Sequence, residues 1–146
     1  MGVTLDTGAL IALEAIAGGA AENRTAYKLA ALLARAPSAA REPLIATTPA
    51  VVVGEWWRGQ RGPAAKLLDT RRIRVEDVTR AIAERAGRVL AAIKVTHRAE
   101  RERLLLVDAI VVVSAAERGD VIYTSDVEDL ERLRAAGNFD VKIFRV

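Results

Sequence analysis

The sequence contains no cysteine and a single histidine among its 146 residues. The first absence excludes a disulfide framework, a thiol nucleophile and a thiolate metal site. The second excludes a multi-histidine zinc centre. Aromatic residues make up 4%, too few for a platform that stacks successive bases. No uncharged stretch reaches the roughly 20 apolar residues of a membrane span. Met1 to Asp6 carry an early acid and no cationic segment, which predicts no targeting peptide and a protein of the reducing cytoplasm. Whatever chemistry this chain performs runs on carboxylates, hydroxyls and cationic side chains.

What is present is an ordinary globular balance, 51% hydrophobic and 28% charged, far from a disordered composition. The length fits one domain spanning residues 1–146, large enough to bury roughly two-thirds of its unfolded surface. Twenty-two Lys and Arg against 19 Asp and Glu leave a net charge of +3, and 18 of those cations are Arg. The planar guanidinium fork suits phosphate. An excess of this size permits a nucleic-acid partner without establishing one.

Short β-rich runs alternate with longer helical runs. Val3-Thr4-Leu5, Leu44-Ile45-Ala46, Ile73 to Val75, Val121 to Thr124 and Val141 to Val146 read as strands. Thr7 to Ala17 reads as a helix stopped by Gly18-Gly19, and Glu22 to Ala36 as one stopped by Pro37. Thr48-Pro49 has the form of an N-cap and first helical position for a helix over Val51 to Arg58. Another helix starts at Pro63. Asp77 to Val95 is the clearest amphipathic helix, with Val78, Ile82, Ala86, Val89 and Ile93 on one face. His97 to Arg103 reads as a charged connector, Leu104 to Arg118 as an apolar helix and Val127 to Ala136 as a last helix. Strands separated by helices predict an α/β fold: a single three-layer domain with a short parallel sheet flanked by helices.

Four acids stand out by position. Asp6 follows the first strand and Asp126 the fourth; ligands of an open α/β sheet bind outside such carboxyl ends. Each also has a plainer use. Asp6 can cap the following helix, and Ser125 with Glu128 forms a capping box that puts Asp126 in a first helical turn. Glu55 lies between Val51-Val52-Val53-Gly54 and Trp56-Trp57, where Arg58 is within reach for an i,i+3 pair. Asp108 lies between Leu104-Leu105-Leu106-Val107 and Ala109-Ile110-Val111-Val112-Val113, and a charge there needs a cation, a metal or a raised pKa. If the first and fourth strands are neighbours, Asp6 and Asp126 meet, with Asp108 at the start of the helix leading into the fourth strand. Four converging carboxylates without His or Cys form a hard, oxygen-only donor set suited to Mg²⁺ or Mn²⁺. Such an ion can activate water and clamp a phosphoryl oxygen, which is the chemistry of phosphodiester hydrolysis.

These residues resemble a known family. Val3-Thr4-Leu5-Asp6-Thr7-Gly8-Ala9-Leu10-Ile11-Ala12-Leu13 resembles the opening of PIN-domain proteins. Val53-Gly54-Glu55-Trp56-Trp57-Arg58-Gly59 is similar to their second acidic motif, Val107-Asp108-Ala109 to the third, and Tyr123-Thr124-Ser125-Asp126 with Asp129-Leu130 to the fourth. The nearest type is the VapC-like toxin of toxin–antitoxin pairs. The resemblance implies a PIN-like fold and a Mg²⁺- or Mn²⁺-dependent endoribonuclease toxin. Its metal set would be Asp6, Glu55, Asp108 and Asp126, with Thr124 as the hydroxyl that orders water or substrate. It also implies a homodimer held inactive by a small antitoxin. Asp129 is a further acid of that fourth motif. Gly8 departs from the pattern, since many relatives carry Ser there. The charged-then-apolar approach from Thr96 to Leu106 departs as well.

Arg58, Arg61 and Lys66 follow Glu55 and form a candidate surface for an RNA backbone or an antitoxin acid; Arg71, Arg72 and Arg74 form a second cluster. His97 has no partner and no catalytic assignment. Of Trp56 and Trp57, one should pack inward and the other face outward. Two other functions compete: a catalytically silent PIN-like module that binds RNA or protein, and an Asp-based phosphatase or phosphotransfer domain. The latter wants a second Asp where Gly8 stands, or a Lys near the end of the sheet.

Overall fold

Three hydrophobic or β-branched residues at Val3–Leu5 form a fully buried strand, β1, and every other strand takes its place relative to it. The computed structural model describes residues 2–20, 23–34, 44–59, 73–93 and 99–146. In chain order the elements are β1, α1 (Thr7–Ala17), α2 (Arg24–Ala34), β2 (Ala46–Pro49), α3 (Ala50–Trp56), β3 (Ile73–Glu76), α4 (Arg80–Ala92), α5 (Ala99–Arg118), β4 (Val121–Thr124), α6 (Val127–Ala136) and β5 (Ile143–Arg145). The five strands make one sheet in the order β3-β2-β1-β4-β5, and every pairing is parallel. This is the expected three-layer α/β architecture. From β1 the chain winds outward to β2 and β3, then returns to the other side of β1 for β4 and β5. With right-handed crossovers the two halves place their helices on opposite faces. Accordingly α1 packs on α2 and α3, while α5 packs on α4 and α6.

β1 and β2 are buried along their whole length, whereas the edge strands β3 and β5 are partly exposed. Residues 109–115 of α5 are all buried, because this helix is pressed between the sheet and its two helical neighbours. α4 buries Ile82, Ala86 and Val89 from the expected stripe, with Val78 and Ile93 packed against the core from beyond its ends. α5 ends through Gly119 at φ +67°, a left-handed cap that costs glycine little. Trp56 is fully buried, its indole nitrogen donating to Glu14, while Trp57 faces outward.

Several boundaries differ from the sequence reading. The second strand is Ala46–Pro49, not Leu44 to Ala46, and the following helix opens one residue later than expected, with Pro49 and not Thr48 at its N-cap. The reason is that both hydroxyls are satisfied inside the sheet. Thr47 Oγ1 donates to the Val3 carbonyl at 3.3 Å and Thr48 Oγ1 to the Leu5 carbonyl at 2.9 Å, so a polar-looking Ala-Thr-Thr run fills a central strand. α3 closes at Trp56 and passes into a turn through Arg58. α4 starts after Thr79, whose hydroxyl caps Ile82 N, and stops at Ala92. Residues 99–103 belong to α5 and are not a connector. The last strand is confined to Ile143–Arg145. The second helix is described over Arg24–Ala34, opened by Asn23, whose side chain accepts from Ala26 N. The helix expected from Pro63, Arg61, Lys66, Arg71, Arg72 and His97 lie outside the described residues.

On one face of the sheet a polar network joins four of the strands. Asp120, just before β4, accepts from Thr4 Oγ1 of β1 at 3.0 Å, from Thr47 Oγ1 of β2 at 3.5 Å and from Arg118 Nε at 2.8 Å. Arg118 also donates to Thr4 Oγ1 at 2.7 Å and pairs with Glu76 of β3. A buried carboxylate is thereby neutralised by a guanidinium each of whose three nitrogens is engaged.

Candidate active site

The carboxyl ends of β1 and β4 lie side by side, with Leu5 in register with Tyr123. This is the point where the winding reverses, the crevice in which open α/β sheets bind ligands. Asp6 leaves β1 there and uses its two oxygens differently. Oδ1 caps α1 by accepting from Ala9 N at 2.7 Å. Oδ2 accepts from Thr124 Oγ1 at the end of β4. The capping role and the meeting of strand ends therefore coexist in one side chain. Thr124 is fully buried, and its oxygen also accepts from Asp126 N at 2.8 Å. Its single proton is directed at Asp6, so Thr124 orients an acid and not, by a direct bond, a water or substrate.

Asp126 itself is the N-cap of α6, its Oδ1 accepting from Asp129 N at 3.3 Å. This replaces the expected Ser125–Glu128 capping box: the N-cap lies one residue later, so the amide reached is that of Asp129. Asp126 is exposed, so only part of its acceptor capacity is committed. Glu55, on α3, accepts from Thr7 Oγ1 in the first turn of α1. It makes no ion pair with Arg58 among the described residues. Thr7 was not singled out in the sequence. Its signal was adjacency: a hydroxyl one residue beyond the first acid.

Asp108 sits two and a half turns into α5, not at its start. It is half-buried on a helix that is apolar on all sides beyond it. Burial pushes its carboxyl up to about 7, and the charges of Asp6, Glu55, Asp129 and Asp126 push in the same direction. Asp6 is pushed up to about 6, first by burial. The bonds from Thr124 and Ala9 N oppose that rise, and Glu55 and Asp126 add to it. Asp6 and Asp108 thus feel neighbouring carboxylates, and none of the four is paired with a cation among the described residues. Asp129 is half-buried and pairs with Arg132 at 3.2 Å.

Gly8 has a structural explanation. A Cβ there would fall 2.0 Å from Ser125 Oγ and 2.9 Å from Ser125 N. The turn after β4 rests directly on the start of α1, and the space of a side chain at position 8 is filled by Ser125. A second acid there would displace Ser125. Of the candidate cations, Arg58 lies exposed in the turn after α3, and Arg74 is engaged with Glu76 at 2.9 Å.

Among the described residues no three Asp, Glu or His side chains stand in position to hold one ion together. The donor set nonetheless fits a hard divalent cation, since Mg²⁺ is held by one or two carboxylates and keeps several waters. The two carboxyls are raised first by burial and further by neighbouring carboxylates, and a cation would relieve both effects. No family model and no curated protein sequence matches the chain.

Proposed function

We propose that this chain is a metal-dependent endoribonuclease of the PIN type, similar in plan to VapC-like toxins. The observation that carries this reading is the meeting of Asp6 and Thr124 across neighbouring strand ends, near the charges of Glu55 and Asp126 and acting on Asp108, with no cation paired to these acids among the described residues. Mg²⁺ or Mn²⁺ bound there would lower the pKa of a coordinated water and offset charge on a phosphoryl oxygen. One or two of Asp6, Glu55, Asp108 and Asp126 would ligate it directly, and the others would reach it through its waters. The chain's own residues do the rest. Thr124 holds Asp6 in one orientation, Thr7 holds Glu55, and the apolar packing of α5 keeps water from one side of Asp108. The same reading carries a homodimer, a small inhibitory antitoxin and a cytoplasmic RNA substrate. Among the described residues no helix is long and apolar enough to cross a membrane.

A second reading is a catalytically silent RNA- or protein-binding module, and the spread of the acids favours it. One assay separates the two. Total RNA is incubated with wild type or with Asp108→Asn, each in Mg²⁺, Mn²⁺ or EDTA. Discrete fragments that require both the metal and Asp108 support the nuclease. Folded, antitoxin-free wild type that yields no metal-dependent product leaves the binding module.

A further inference from the structure

A polyanionic substrate must approach a cluster of carboxylates, and an unengaged cation beside the cluster is needed to draw it in. Most described arginines cannot serve. Arg74, Arg80, Arg85, Arg118, Arg132 and Arg134 are already paired with Glu or Asp. Arg24 and Arg145 have no carboxylate partner among the described residues, and both line one open cleft of about 460 Å³ with Asn23, Thr25 and Val146. Arg145 connects this cleft to the site. It stands in register with Thr124 on the adjacent strand. Its Nη1 donates to the carbonyl of Ser125 at 3.1 Å, the residue between Thr124 and Asp126. One nitrogen thus anchors the guanidinium beside the acids, and its other donors remain available. Arg24, at the start of α2, lines the same cleft and is exposed.

Resting on the nuclease reading above, we infer that the Arg24–Arg145 cleft binds the RNA backbone phosphates that flank the scissile bond. Two guanidinium forks without carboxylate partners select an oxyanion. An open groove leading away from a strand end suits a polymer that continues past the reacting bond. The contacts go to phosphate, so the cleft contributes affinity and register without reading base sequence. The other anion such a cleft could accept, an acidic segment of a protein partner, is an outcome of the test.

The test is fluorescence anisotropy of a labelled single-stranded oligoribonucleotide in EDTA, where no turnover occurs, across a series of salt concentrations. The proteins are wild type, Arg24→Gln, Arg145→Gln, the double variant, Arg145→Lys, and Arg88→Gln as a charge-matched control on α4. Each Gln variant is expected to weaken binding roughly five- to tenfold at 0.1 M salt and to lower the log–log salt slope by about 0.7. Arg145→Lys keeps most of the slope, and Arg88→Gln changes neither quantity. Wild type that binds RNA while the double variant binds equally well, with the same slope, overturns the cleft assignment and leaves the nuclease reading standing. Wild type that neither binds nor cuts RNA overturns both. Binding of poly-glutamate that depends on the two arginines, with RNA binding that does not, assigns the cleft to an acidic protein partner instead.

Discussion

At the scale of single residues, the two acids with raised pKa values make opposite demands on stability and on function. An unfolded Asp releases its proton near pH 4, whereas Asp108 and Asp6 hold theirs up to about 7 and about 6 in the fold. Between those limits the folded chain binds more protons than the unfolded one, so stability falls as pH rises from about 4 to about 7. Above that window both acids are ionised in the fold, and the penalty is complete. Asp108→Asn is therefore expected to stabilise the metal-free protein above pH 7, by on the order of 3 kcal/mol, while removing cleavage. Urea denaturation at pH 5 and pH 8 checks it; equal changes at the two pH values would sink the electrostatic account. Gly8→Ser tests a steric one. The added Cβ meets the backbone of Ser125, so the variant is expected to lose roughly 1–3 kcal/mol and most activity, despite adding the hydroxyl that the resemblance anticipates. The acids were legible in the sequence because charge inside an apolar run needs a reason. Thr7, the division of Asp6 between two partners and the packing of Ser125 over Gly8 were not, because each depends on contacts between segments far apart in the chain.

At the scale of elements, legibility followed the source of each element's stability. α1 and α6 have the bounds expected for them, because strong local stops, Gly18-Gly19 and Gly137, coincide with the end of their packing. β2 was displaced because its stability comes from its neighbours. Thr47 and Thr48 count as polar until their hydroxyls are seen to bond the β1 carbonyls. The extent of α5 toward Ala99 was missed for a related reason: mixed charges read as a connector when the helix behind them is not in view. The clearest element-level prediction concerns Arg118, which holds α5 to β1, β3 and the start of β4. Arg118→Met leaves Asp120 buried without its cation and is expected to cost about 3–5 kcal/mol. Arg118→Met combined with Asp120→Asn is expected to recover part of that loss, because the uncompensated charge is gone. Thermal melting of both variants decides the matter. Failure of the double variant to recover would mean that the packing of the Arg118 stem, not charge, dominates.

At the scale of the whole molecule, the sheet order places the candidate site at its centre, between the two halves of the winding. A cation bound there links those halves and is expected to stabilise the fold. At a hundred times its dissociation constant the gain is about 2.7 kcal/mol, or roughly 5–10 °C in melting temperature for a chain of this size. The gain should be large at pH 8 and small at pH 5, where Asp6 and Asp108 keep their protons. Differential scanning calorimetry with Mn²⁺ and with EDTA at both pH values provides the check. The topology also sets the order in which the site comes into being. Asp6 is translated early, yet the hydroxyl that orients it arrives 118 residues later, on β4. Until that strand has left the ribosome, β1 lacks its partner on one side and the acids have no common place to meet. On the proposed nuclease reading, a growing chain leaves the message it is read from intact through most of its synthesis.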